Sequence, residues 1–297
     1  MTASTNQGCY PYGQFGEGVR CVAQFGQQGF RGDDLFWPWH CDTSNTGDIA
    51  IADTDNNRIQ IFQAHGNTSI FPPFGGKGVE CGQFKSPRSI KYSSIPGTSF
   101  AVADTGNKRV SLLAINFKLG KIVHAFSFGQ TLFSEPSDVA VDRRNGNMVV
   151  ADSGSNRVTI HNQYGDHISD LEHQNIHFVR PSAVAITHDG KSDIYVSDSG
   201  NHCVRRFSCN GDFLGTLGKL GDKEGEFNTP RGVALDRQGY LYVADEFNNR
   251  VQMFTPDLLH VTTLVSNIPR PKGVCVGQNL VVTTGDQSNF VKVFKHC

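Results

Sequence analysis

Five aspartates in this 297-residue chain recur in one local setting, and four of them are followed by arginine five residues later. The pairs are Asp53 with Arg58, Asp104 with Arg109, Asp152 with Arg157 and Asp245 with Arg250, while Asp198 is followed by Cys203. A carboxylate and a guanidinium at that separation can make a charge-assisted bond across a tight turn. A catalytic acid–base role is the sharper alternative, but repetition at regular intervals favours an architectural one. A second group of chemistry-bearing residues clusters around six prolines: Lys85, Arg88, Arg180, Arg231, Arg270 and Lys272, against Glu135 and Asp138. Cations beside aromatic side chains suit contact with a polyanion and stacking on bases.

Other site chemistries find little support. The eleven histidines are scattered and form no His-Glu-x-x-His, and His173 and His177 lie in a polar stretch with no helix to align them. No Gly-x-Ser-x-Gly elbow occurs. The Gly-rich segments lack the Lys-Ser/Thr ending and following helix of a phosphate loop. No metal or cofactor is expected, and the chain is expected not to be an enzyme. Cationic and acidic residues number 27 and 28, giving a net charge of −1, so any nucleic-acid role must come from a local patch. The eight cysteines, without any Cys-x-x-Cys, read as reduced thiols of an intracellular protein. The first residues are polar and Gly-rich with no apolar signal core, and no apolar run reaches the ~20 residues of a membrane helix. A cytoplasmic location is expected.

The elements that must position these residues are strands. Glycine is abundant, at 32 residues, and the apolar runs are short, which points to an all-β chain rich in turns. One phrase repeats: proline, a short apolar strand, a turn, a strand ending in Ala-Asp, a turn, and a third strand. Its second half reads IAIADTDNNRIQIF (49–62), FAVADTGNKRVSLL (100–113), MVVADSGSNRVTIH (148–161), IYVSDSGNHCVRRF (194–207), LYVADEFNNRVQMF (241–254) and a degenerate LVVTTGDQSNFVKVF (280–294). The opening prolines, Pro38, Pro87, Pro136, Pro181, Pro230 and Pro271, stand 49, 49, 45, 49 and 41 residues apart. A period of this size with three or four strands per unit marks a propeller blade. The fold class expected is therefore all-β, a six-bladed β-propeller. Gly106, Gly154 and Gly200 are expected to supply left-handed turn geometry. The sixth unit stops after its third strand, and residues 21–26 resemble the fourth strands of other units. The last blade is thus expected to be closed by the N-terminal strand, with residues 1–19 an extension outside the repeat and 20–297 the propeller.

The phrases Pro-x-x-Val-Ala-Val, Val-Ala-Asp-x-x-Asn-x-Arg-Val and the linkers Phe74-Gly75 to Pro87 and Leu217-Gly218 to Pro230 resemble those of the NHL repeat family, and in particular the C-terminal propellers of TRIM-NHL proteins of the Brain tumor and Mei-P26 kind. The resemblance implies a single-stranded RNA-binding domain of a post-transcriptional regulator, recognising motifs in messenger-RNA 3′ untranslated regions and promoting translational repression. Its implied partners are single-stranded RNA and translational repressor proteins, with no membrane and no DNA. The RING, B-box and coiled-coil segments of full-length relatives are not seen here, so ubiquitin-ligase chemistry is not assigned to this chain. The sequence departs from the pattern at Cys203, Thr284 and Phe290. The alternative is a protein-interaction platform recruiting partner proteins or ubiquitin-ligase substrates. The RNA-binding residues expected on the face that carries the opening prolines, here called the top, are Arg88, Arg180, Arg231, Arg270, Lys272, Lys85, Lys108, Asn107, His202, Phe247, Trp39 and Phe178.

Overall fold

The computed structural model describes residues 14–15, 19–64, 69–277, 280–285 and 289–296. Six antiparallel sheets make up the described chain, with hardly any helix beyond single turns. Blade one comprises Pro38–Thr43, Ile49–Asp53, Arg58–Phe62 and Phe74–Gly75, in order from the axis outward. Blade two comprises Ser89–Tyr92, Phe100–Asp104, Arg109–Asn116 and Lys121–Phe128. Blade three runs through Pro136–Val141, Met148–Asp152, Arg157–His161 and His167–Asp170, and blade four through Pro181–Ile186, Ile194–Asp198, Cys203–Phe207 and Phe213–Leu217. Blade five holds Pro230–Leu235, Leu241–Asp245, Arg250–Phe254 and His260–Ser266.

The sixth sheet joins Pro271–Gly277, Leu280–Gly285 and Val291–His296 to Val19–Phe25, which pairs antiparallel with Val291–His296 from Val19 opposite His296 to Phe25 opposite Val291. Part of the segment expected to lie outside the repeat is used as well. Gln14 and Phe15 pair with Ser266 and Val265 as a fifth strand on the edge of blade five.

Second strands are buried along their whole length in blades one to five, because they pack on both faces between neighbouring sheets. Six apolar clusters result, one at each blade-to-blade boundary. Each boundary is plugged by one linker residue placed three before the opening proline: Leu35, Phe84, Phe133, Phe178, Phe227 and Ile268, all buried. The linker glycines make room for these plugs. A Cβ on Gly218, whose φ is +85°, would stand 2.3 Å from the Phe227 ring.

The turn between second and third strands is not built as expected. Gly106, Gly154 and Gly200 do not carry positive φ; the left-handed residue is the one two positions later, Lys108, Asn156 or His202, at φ of 55°, 56° and 55°. The glycine is needed for close approach instead, since a Cβ on Gly106 would lie 2.6 Å from the Lys85 carbonyl oxygen.

Candidate nucleic-acid interface at the channel mouth

The repeated aspartates are buried turn organisers. Asp53 accepts the Phe36 N–H at 2.7 Å, the Asn56 amide at 2.8 Å and Arg58 Nε at 2.7 Å. Asp104 and Asp245 are held alike, by Lys85 N–H, Asn107 and Arg109, and by Asn228 N–H, Asn248 and Arg250. Burial pushes the carboxyl groups of Asp53, Asp104 and Asp245 up, against the pull of those donors. The guanidinium groups are committed to the fold: Arg109 also donates to the carbonyls of Val79, Glu80 and Gln83. Two blades depart from the five-residue spacing. Arg157 turns outward to Asp170, and in blade four Arg205 takes the place that Cys203 leaves empty, 2.6 Å from Asp198.

The left-handed residue ties each blade to the next. Asn57 Oδ1 accepts from Ser86 N–H, Asn156 from Arg180, His202 Nδ1 from Thr229, Asn249 from Arg270, and Asn289 from Trp37. Every residue so held is itself at positive φ, from 44° to 59°. Blade two has Lys108 in this position, which cannot accept, and the corresponding Glu135 stays out of the left-handed region.

Above these turns several of the expected residues converge. Arg88 Cζ lies 5.0 Å, Lys272 Nζ 4.7 Å and Arg231 Cζ 5.9 Å from the centre of the Trp39 ring, so blades one, two, five and six meet there. Arg270 stacks 5.0 Å over the exposed Phe247. A carboxylate not named among the expected residues sits beneath them. Glu246, fully buried, takes Arg231 Nε on one oxygen and Arg270 and Lys272 on the other, each at 2.6 Å. Burial alone would raise its carboxyl, but Arg231 and Lys272 outweigh that and bring it down to about 2. Its signal lay in the repeat: Thr54, Thr105, Ser153 and Ser199 occupy the same place in other blades, where their hydroxyls bond carbonyls of the linkers and opening strands. Arg88 pairs with the exposed Glu135 at 3.3 Å and feels Arg231 and Arg180 nearby. Of the acidic pair counted at the rim, only Glu135 belongs there. Asp138 is buried, bonded to the Ser89 hydroxyl and the N–H groups of Val139 and Val184.

Three expected contacts are corrected. Phe178 is one of the buried linker plugs, packed on Phe207, and presents no face to a base. The Asn107 amide nitrogen is spent on Asp104 and the Gly78 carbonyl. Lys272 is buried at 3% exposure, so it acts on the mouth through its charge and through Trp39. Lys85, Lys108 and Arg180 remain exposed, and His202 is half-buried with Nδ1 engaged by the Thr229 N–H.

Residues from all six blades line a cavity of about 100 Å³, with Asp42, Lys91, Tyr92, Arg143 and His188 among its polar groups and Ala140, Val184 and Ala234 among its apolar ones. His40 is buried near Asp138 and Lys91, and its ring nitrogens lie close to the Cys41 backbone with no side-chain hydrogen-bond partner among the described residues. Burial brings its imidazole down to about 4. No group of three or more metal-ligating side chains occurs among the described residues, and no helix among them is long and apolar enough to cross a membrane.

Comparison with known proteins fits this architecture. The NHL repeat model matches residues 133–160, and the model described as lactonase, seven-bladed β-propeller, matches residues 162–278. SUPPRESSOR OF QUENCHING 1, a chloroplastic protein of Arabidopsis thaliana, is 24% identical over 72% of this chain and 26% of its own length. Brain tumor of Drosophila melanogaster is 28% identical over 48% of this chain and 13% of its own length. The chain thus spans about a quarter or less of these relatives. A gluconolactonase from Xanthomonas campestris superposes with a TM-score of 0.68 at 11% identity, covering 97% of this chain and 95% of that one. The expectation that the chain is not an enzyme is overturned by the match of the lactonase model to residues 162–278. What the matches and the six sheets establish together is a six-bladed β-propeller carrying an NHL repeat.

Proposed function

We propose that the top mouth of the channel binds single-stranded RNA. The observation that carries this reading is the gathering of Arg88, Arg231 and Lys272 around the Trp39 ring, with Arg270 over Phe247 beside it. Five cations, counting Arg180, face two carboxylates, Glu135 and Glu246, so the rim carries a net positive charge on a chain whose overall charge is −1. Aromatic faces next to cations accept bases without demanding one sequence, at about 1–3 kcal/mol per stacked base. The resemblance of the repeat phrases to those of TRIM-NHL propellers implies a post-transcriptional role, repression of messages bound through their 3′ regions.

The test is fluorescence anisotropy with a pool of random single-stranded RNA at two salt concentrations. Arg88→Glu should weaken binding about tenfold or more with an unchanged melting curve, and the salt slope should shrink by about one contact. Should Arg88→Glu and Arg180→Glu both bind like the parent chain, this surface is not the RNA site. A protein partner on the same face is the other outcome, to be pursued if the parent chain itself binds no RNA.

The lactonase match favours a second reading, acid–base chemistry on a small molecule, with the buried His40 as the group to test. A buried imidazole with no side-chain hydrogen-bond partner, near Lys91 and Asp138, is the kind of group that moves protons. The lactonase match suggests lactones as the first substrates to try. Acid release from a lactone panel, lost in His40→Gln and kept in Arg88→Glu, would support it.

A further inference from the structure

We propose that Cys41 and Cys275 are a site of reversible oxidation, forming a cystine that staples the last blade to the first. Cys41 lies on the inner strand of blade one and Cys275 on the inner strand of blade six, 234 positions apart, with their sulfurs at 3.0 Å. A bonded pair stands at about 2.05 Å, so an approach of roughly 1 Å between two side chains already in contact completes the bond. Both are buried, at 0% and 1% exposure, in the cluster formed by Leu35, Ile51, Phe62, Val282 and Val293. Among the other described cysteines, Cys81 is exposed and Cys203 is buried in blade four, and neither has a sulfur partner.

The position gives the bond its consequence. The blade-six sheet is assembled from strands at both ends of the described chain, Val19–Phe25 and Val291–His296, and hydrogen bonds hold them together. Its boundary with blade one is otherwise held by apolar packing and a few hydrogen bonds, such as Trp37 N–H to Asn289. A covalent link at this boundary would restrain the ring beside the sheet in which Val19–Phe25 and Val291–His296 meet.

Cys275 also lines the small cavity beside Lys91 and Tyr92, which gives a small oxidant a path that a bulky reagent lacks. With hydrogen peroxide as oxidant, the Cys275 thiolate attacks one peroxide oxygen. The S–O bond forms, the O–O bond breaks, and the hydroxide released is protonated to water. The Cys41 sulfur then attacks the sulfenic sulfur, the S–S bond forms and the S–O bond breaks. The second oxygen leaves as water with the thiol proton. Two electrons pass from the two thiols to one peroxide. Burial raises the Cys275 thiol well above its ordinary value, with Lys91 opposing, so the first step is slow at neutral pH and speeds up with rising pH. The same burial shields the finished bond from thiol reductants.

The experiment uses the whole chain, reduced, freed of reductant and exposed to hydrogen peroxide, then alkylated in denaturant and digested without reduction. The expected result is one linked peptide pair, containing Cys41 and Cys275 and lacking two hydrogens, which dithiothreitol dissolves. Faster migration on a non-reducing gel and a thermal midpoint raised by about 5–10 °C should accompany it. Cys41→Ser and Cys275→Ser should show neither change, and the peptide map of the parent chain stands even where a variant folds poorly. Recovery of Cys41 and Cys275 as separately alkylated thiols while Cys81 is oxidised, or a link to a different cysteine, would overturn the proposal.

Discussion

Replacing Glu246 by glutamine should move stability and RNA affinity in opposite directions. The carboxylate is buried and holds three cations at 2.6 Å, and its ionisation falls from an ordinary 4.5 to about 2. A shift of that size corresponds to about 3 kcal/mol of preference for the charged, folded form. Arg270 is a third exposed and admits solvent beside the pair, so about 2 kcal/mol is the working value. Because the folded-state value lies below the unfolded one, this contribution is complete above pH 4.5 and vanishes as pH falls toward 2. Urea unfolding of Glu246→Gln should therefore give a lower midpoint than the parent at pH 7, with the two converging in acid. For RNA the same change removes a negative charge from beneath the mouth. A unit charge roughly 8 Å from a phosphate is worth about 1 kcal/mol at an effective dielectric between water and protein interior, or about a fivefold tighter complex. Anisotropy at low salt reads that gain directly. A folded Glu246→Gln protein that binds RNA no better than the parent, or one as stable as the parent at pH 7, refutes the electrostatic account of the mouth.

Two further outcomes follow from the same geometry. Arg109→Ala should cost about 3–5 kcal/mol, since it strands buried Asp104 and three carbonyls, whereas Arg157→Ala, whose side chain is half exposed, should cost less than about 1 kcal/mol; chemical denaturation of both variants separates the two roles. His40 and His161 are both brought down to about 4, chiefly by burial, so their contribution is full above pH 6.5 and is lost as pH falls toward 4. The urea midpoint should decline steadily across that window, by about 3 kcal/mol at most for either group, and more gently in His161→Gln; a flat profile would show that neither imidazole is held neutral.

Blade number, strand order and the Asp–Arg turns were legible because they are local. Inner strands begin at five of the six opening prolines and two residues after Pro87 in blade two, and every second strand falls on its expected phrase, ending in Ala-Asp in four blades, Ser-Asp in blade four, or the degenerate sixth. Phe178 was misplaced although its position was readable: it stands three residues before Pro181, as Phe84 and Phe227 stand before theirs, and that shared place is a core position. Arg205 standing in for Cys203 was harder to see. Residues 203 and 205 share one side of their strand, and only the folded turn shows that a longer reach from two positions on meets Asp198.

The sequence by itself determined what depends on neighbours along the chain, namely the period, the alternation of strand and turn, and the carboxylate that closes the turn in blades one to five. Tertiary structure alone decided which charges remain available at the mouth. Glu246 reaches Arg270 and Lys272 across 24 and 26 positions, and Trp39 meets Lys272 from the far end of the chain, because the ring brings inner strands from distant segments to one axis. Pairing energies fall steeply with distance and solvent access, and neither quantity exists until the sheets have packed.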